Sequence, residues 1–156
     1  MTEEELAARL PGLRSVQFEI TSESDEIYNC IAWAVNDTNQ WWWPFPHRCP
    51  GVYWPPGVPK EVTIPAFIQA FEEVLFARCE NREFEPGYDK IALYADANRR
   101  PTHAARWWLE DGGWSSKLGE ENDILHHTLG SLEGTDYGQV VQILRRQRTI
   151  DRADLM

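Results

Sequence analysis

The sequence predicts an α+β fold, a few helices packed on a small antiparallel sheet. Four segments predict it. Ile27 to Val35 is an apolar, proline-free run with helical character. Asp89 to Ala95 reads as a buried strand. Thr102 to Leu109 and Trp114 to Leu118 read as two more strands, joined by the hairpin signal Glu110-Asp111-Gly112-Gly113.

The remaining elements follow in order. Residues 1–14 hold an N-terminal helix, over 3 to 10, which Pro11-Gly12 stops. Ser15 to Thr21 alternates, with Val16, Phe18 and Ile20 on one side, as a strand does. Residues 39–60 carry six prolines among Trp41, Trp42, Trp43 and Trp54, so an ordered loop without regular elements is expected. Thr63 caps a helix with Pro65 in its first turn and Phe67, Phe71 and Leu75 on its apolar face; it is expected to end before Asn81. Tyr137 to Leu144 reads as helix or strand, and its β-branched residues favour the strand slightly. Arg145-Arg146-Gln147-Arg148 suits the C-terminal end of a final helix, where cations meet the negative end of the dipole. The whole chain, 1–156, reads as a single domain.

Composition excludes several classes of function. The net charge of −10 argues against an extended nucleic-acid surface. No apolar run approaches the roughly 20 residues of a membrane span. The N-terminal Met1-Thr2-Glu3-Glu4-Glu5-Leu6 lacks the basic-then-apolar order of a signal peptide, so a cytoplasmic location is expected. Cys30, Cys49 and Cys79 are an odd set for a disulfide framework and too dispersed for a zinc site. No metal or cofactor is expected. Cys49 reads as incidental in its loop, and Cys79 as packing at the end of a helix.

Chemistry concentrates in two short segments. Tyr28-Asn29-Cys30-Ile31-Ala32-Trp33-Ala34 puts a cysteine at a helix start, and Pro101-Thr102-His103-Ala104-Ala105-Arg106 puts a histidine at a strand start. A helix N-terminus with a nearby imidazole is one way to make a reactive thiolate. The first segment resembles the nucleophile helix of papain-like cysteine peptidases, and Thr102-His103-Ala104-Ala105 resembles their general-base strand. In the compact bacterial branch that cleaves cell-wall peptides, a tyrosine also stands two residues before the cysteine. With Trp114-Ser115-Ser116-Lys117-Leu118-Gly119, these segments also resemble an uncharacterised bacterial domain family, from about Tyr28 to Arg146. The resemblance implies a papain-like layout, with Cys30 as nucleophile, His103 as base, and Tyr28 supporting the oxyanion or lining the cleft. The backbone N–H of Cys30 would be an oxyanion donor.

A third polar group should orient His103. If Asp111-Gly112 is a two-residue turn, His103 falls opposite Glu120, and Asp123 lies one short step beyond. The choice between Asp123 and Glu120 stays open at this level. Ser116 is nearer but a weaker charge-stabilising partner. His126 could orient the base or line the site. Tyr28, Trp33, Trp42, Trp43, Trp54 and Ser116 are the candidate substrate-binding residues, since aromatic faces around a cleft would hold a peptide.

The expected function is a cysteine hydrolase or acyltransferase acting on an amide bond of a peptide or protein substrate. Peptidase, deamidase and transglutaminase-like chemistry share the attack by Cys30 and the acyl-enzyme. The alternatives are a catalytically silent module that binds a peptide or protein through the aromatic loop, and an acidic immunity or adaptor protein that covers a basic partner.

Overall fold

The computed structural model describes residues 1–15, 18–108 and 111–148. Val16 of the expected first strand, and Leu109 and Glu110 of the expected hairpin, lie outside the described residues.

Helix α1 (Glu3–Arg9) starts at a capping box: the Thr2 hydroxyl accepts from Glu5 N–H while the Glu5 side chain reaches back to Thr2. Strand β1 is Phe18–Ile20. Helix α2 (Cys30–Ala34) starts where Asn29 accepts from Ala32 N–H at 3.1 Å. The aromatic loop departs from the expectation of no regular element: it holds a two-residue parallel pair, β2 (Trp41–Trp42) with β3 (Val52–Tyr53). The prolines flank this pair and leave its N–H groups free to bond.

Helix α3 (Ile64–Glu72) has the expected Thr63 cap but ends earlier than its apolar pattern suggests. Leu75 adopts φ 74° just past it, and the chain enters β4 (Ala77–Cys79). Cys79 therefore stands in an edge strand, not at a helix end. Strands β5 (Tyr88–Ala95), β6 (Pro101–Trp107), β7 (Trp114–Lys117), β8 (Asp123–His126) and β9 (Gln139–Gln147) complete the sheet. The arginines continue β9 instead of ending a helix: Arg145 pairs with Glu85 at 2.6 Å and Arg146 with Asp89 at 3.4 Å.

Among the described residues the sheet has seven strands in the order β1-β8-β7-β6-β5-β9-β4, every pair antiparallel. Strand alternation divides two cores. Ile91, Leu93 and Ala104 pack with α2, α3 and the tryptophan loop on one face. Ala92, Tyr94, Ala105, Trp114 and Ile124 pack under Leu6, Leu10 and Leu13 on the other.

Candidate active site

Cys30 opens α2, and its residual exposure is 6%. The short helix is pinned at its start by one side chain. Asn29 donates to the Trp42 carbonyl at 2.7 Å and its amide oxygen accepts from Trp42 N–H at 3.1 Å, besides capping α2. The Trp-rich loop thereby fixes where the thiol sits. The backbone N–H groups of Ala104, Ile31 and Cys30 itself favour the thiolate. Burial outweighs them and the nearby Lys117 ammonium, and pushes the thiol up to about 11. The resting side chain is a neutral thiol.

Strands β6 and β7 pair at Arg106↔Ser115. Beyond that pair a cavity of about 290 Å³ opens, lined by Cys30 and Thr102, by Leu118 and Gly119 after β7, and by Tyr137. Glu120 and Glu121 stand on its wall. Alternation turns Ala104 toward α2 and His103 to the opposite face of β6. The His103 ring is fully buried, stacked on Tyr137 with centroids 4.2 Å apart and tilted against Tyr94 at 5.3 Å. Cys30 and the ring that covers His103 thus share one cavity, while no hydrogen bond joins the two expected partners: His103 Nδ1 is buried and has no hydrogen-bond partner.

The other ring nitrogen is held. His103 Nε2 lies 2.9 Å from Ser116 Oγ, which lies 2.8 Å from His126 Nε2. His126 Nδ1 in turn lies 3.0 Å from the Thr128 carbonyl.

Neither carboxylate favoured by the sequence takes this place. A two-residue turn at Asp111-Gly112 would set Lys117 against Arg106, whereas Ser115 stands there. The expected register is therefore displaced, and Glu120 lies exposed on the cavity wall instead of opposite His103. The cause is local. Arg106 holds Asp111 in a forked ion pair at 3.2 Å, and Asp111 accepts from Trp108 N–H, which sets the path of the connection. Asp123 stands opposite Lys117, and both side chains face Tyr28 at the entrance to α2. There Asp123 accepts from the Tyr28 hydroxyl at 2.9 Å, and it does not meet His103. Ser116, expected against substrate, is fully buried and is the group that holds His103.

The aromatic candidates are mostly structural. Trp42 and Trp54 are buried, and they donate to Asp37 at 2.8 Å and to the Pro59 carbonyl at 3.0 Å. Trp43 and Trp54 flank Phe67 at 5.3 and 5.1 Å. These three pack in or against the core instead of lining a cleft, because the ring area is worth more buried than wet. Trp33 donates to Ser115 at 3.1 Å and carries the Arg106 guanidinium 3.5 Å above its ring. Tyr28 stacks on Trp33 at 5.8 Å. The buried Lys117 ammonium donates to the Asp25 and Gly119 carbonyls, both at 2.6 Å. Sequence reasoning misses this ammonium as a charge beside the thiol; the available signal is a lysine at an inward-facing position of a hairpin strand. Among the described residues, no group of three or more His, Cys, Asp or Glu is placed to hold a metal ion, and no helix is long and apolar enough to cross a membrane.

Burial lowers His103 to about 3, with a smaller push from His126. Burial likewise lowers His126 to about 4, against a partial offset from the Thr128 carbonyl. An imidazole kept neutral in the fold stabilises it above the unfolded value of 6.5, and that stability is lost as pH falls toward the folded values. Each contributes about 1.4 kcal/mol per pH unit in that window, so the two together should cost on the order of 4 kcal/mol between pH 7 and pH 5. Asp123, raised by burial, works in the opposite direction at lower pH. Urea unfolding at the two pH values checks this, and His126→Phe should remove about half of the difference.

No curated protein and no solved structure matches the chain. Residues 19–145, which span α2 and strands β6, β7 and β8, match the profile of the family DUF7689, described as a domain of unknown function, and the chain belongs to that family.

Proposed function

We propose that the protein is a cysteine hydrolase or acyltransferase of papain-like layout, acting on an amide bond with Cys30 as nucleophile and His103 as base. One observation carries the reading. His103 is held by Nε2 alone, its Nδ1 is buried without a partner, and the Tyr137 ring stacked on it lines the same cavity as Cys30. A buried nitrogen left unpaired costs stability, and a role in proton transfer accounts for it.

In this reading the resting pair is neutral thiol and neutral imidazole. As the sulfur attacks the substrate carbonyl, its proton passes through the cavity that Cys30 shares with Tyr137, around that ring, to His103 Nδ1 on the other face of β6, and the carbonyl pair moves onto oxygen. The oxyanion is stabilised by the Cys30 N–H, and Lys117 favours negative charge on that side of the sheet. Collapse expels the amine, which takes the proton from His103 and leaves a thioester on Cys30. Water or a second amine then resolves it. Glu120 and Glu121 on the cavity wall favour a neutral or cationic peptide. The burial of Trp42 and Trp54 removes two of the rings that a purely binding role would use.

The test is alkylation by iodoacetamide at neutral pH, read by peptide mass spectrometry at Cys30 with the loop thiol Cys49 as internal reference. General-base assistance is worth roughly 10²–10⁴-fold. His103→Ala should slow Cys30 labelling at least tenfold and leave Cys49 unchanged. Equal Cys30 rates in the two proteins would overturn the reading.

A further inference from the structure

We infer that His126 is a positioning residue: with Ser116 it relays the polarity of the Thr128 carbonyl to His103, and so fixes the tautomer that leaves Nδ1 unprotonated. The inference rests on the reading of His103 as the base, and it concerns how that base is set.

Four groups act in order. The Thr128 carbonyl can only accept, so His126 Nδ1, 3.0 Å away, carries the hydrogen. His126 is fully buried, and among the described residues no carboxylate pairs with it. It is therefore neutral, and its Nε2 offers a lone pair. Ser116 Oγ, 2.8 Å from that nitrogen, must donate its one proton there. The same oxygen then meets His103 Nε2, at 2.9 Å, only as an acceptor. His103 is neutral and carries its hydrogen on Nε2, so Nδ1 is bare.

The surroundings keep this order in place. Ser131 Oγ donates to the same Thr128 carbonyl at 2.7 Å and anchors it. Tyr94 donates to the Leu129 carbonyl at 2.7 Å, which fixes one ring that packs on His103. Tyr137 stacks on the imidazole face at an interplanar angle of 12° and also packs against Tyr94 at 6.4 Å, so the ring is held by two neighbouring aromatics. Without His126 the serine proton would be free to point at His103 Nε2. That would move the imidazole hydrogen to Nδ1, where it could not take a proton from the thiol.

The experiment is ¹⁵N–¹H long-range correlation spectroscopy of the full chain labelled at histidine nitrogens, without substrate. Wild type should show His103 with hydrogen on Nε2 and a bare Nδ1, and His126 with hydrogen on Nδ1. His126→Phe should shift the His103 tautomer ratio toward Nδ1–H by roughly tenfold, the size of one hydrogen bond. Ser116→Thr, which keeps the hydroxyl, should retain the wild-type pattern, and Ser116→Ala should relax it. Wild-type His103 with hydrogen on Nδ1 overturns the inference, whether or not any variant folds. An unchanged ratio in a folded His126→Phe protein overturns it as well. The spectrum is independent of Cys30 reactivity: the expected tautomers beside an inert Cys30 would sink the hydrolase reading and leave the relay standing.

Discussion

Phe67→Ala is expected to cost about 3–5 kcal/mol of folding stability, the range for removing a buried aromatic ring. Phe67 is fully buried on α3, with Trp43 meeting its ring at an interplanar angle of 81° and Trp54 at 55°. Neither tryptophan can collapse into the space. Trp54 is tied to the Pro59 carbonyl, and the backbone around Trp43 is tied through Trp42 to Asn29. The damage should therefore spread to α2 and its cysteine. Phe67→Leu keeps much of the volume and should cost less than half as much. Urea unfolding followed by tryptophan fluorescence reads both. A cost below about 1 kcal/mol for Phe67→Ala would mean that the aromatic loop does not depend on α3.

Gly138→Ala should have the second large effect, and it should fall on the site as well as on stability. Gly138 has φ 74°, and an added Cβ would stand 2.0 Å from the Ala95 carbonyl oxygen. The conformation alone costs about 1–3 kcal/mol for a residue with a side chain. The overlap then drives the Gly134–Gly138 turn away from the end of β5. Tyr137 moves with it, and with Tyr137 goes the stacked cover of His103 and one wall of the Cys30 cavity. The expected outcome is a lower unfolding midpoint together with faster hydrogen exchange at the amides of β9. A variant with the wild-type midpoint would show that this turn can yield without cost.

The sequence is most legible where one residue type has one physical job. The Thr63 cap and the long apolar strand β5 stand where their side chains require. Legibility fails where a tertiary contact overrides local pattern. The hairpin register depends on Arg106 reaching Asp111, an interaction that turn statistics do not contain. The apolar face of α3 continues past Glu72, yet the chain leaves it at Leu75 to form an edge strand. Strand β8 escapes a reading of the sequence altogether, since so short a strand after a polar turn carries little periodicity. Without β8, Ser116 and His126 have no common face. Once β7 and β8 are paired with Ser116 opposite Ile124, His126 falls on the same face as Ser116 and His103. Carboxylates are conspicuous in a sequence because they are charged, whereas His103 is held by a hydroxyl.

The two halves of the candidate site differ in how far apart their parts lie along the chain, and this orders their assembly. His103 and Ser116 are 13 positions apart, and Ser116 and His126 are 10 apart. They sit on successive strands of one meander, which closes through short loops and can form early. The Cys30 side needs longer closures, since Tyr28 and Asp123 are 95 positions apart. During folding the His103–Ser116–His126 contacts can therefore stand before the thiol arrives. Until α2 docks, Cys30 is an ordinary solvent-accessible thiol, open to oxidation, and protection of that sulfur becomes a late reporter of the folding reaction.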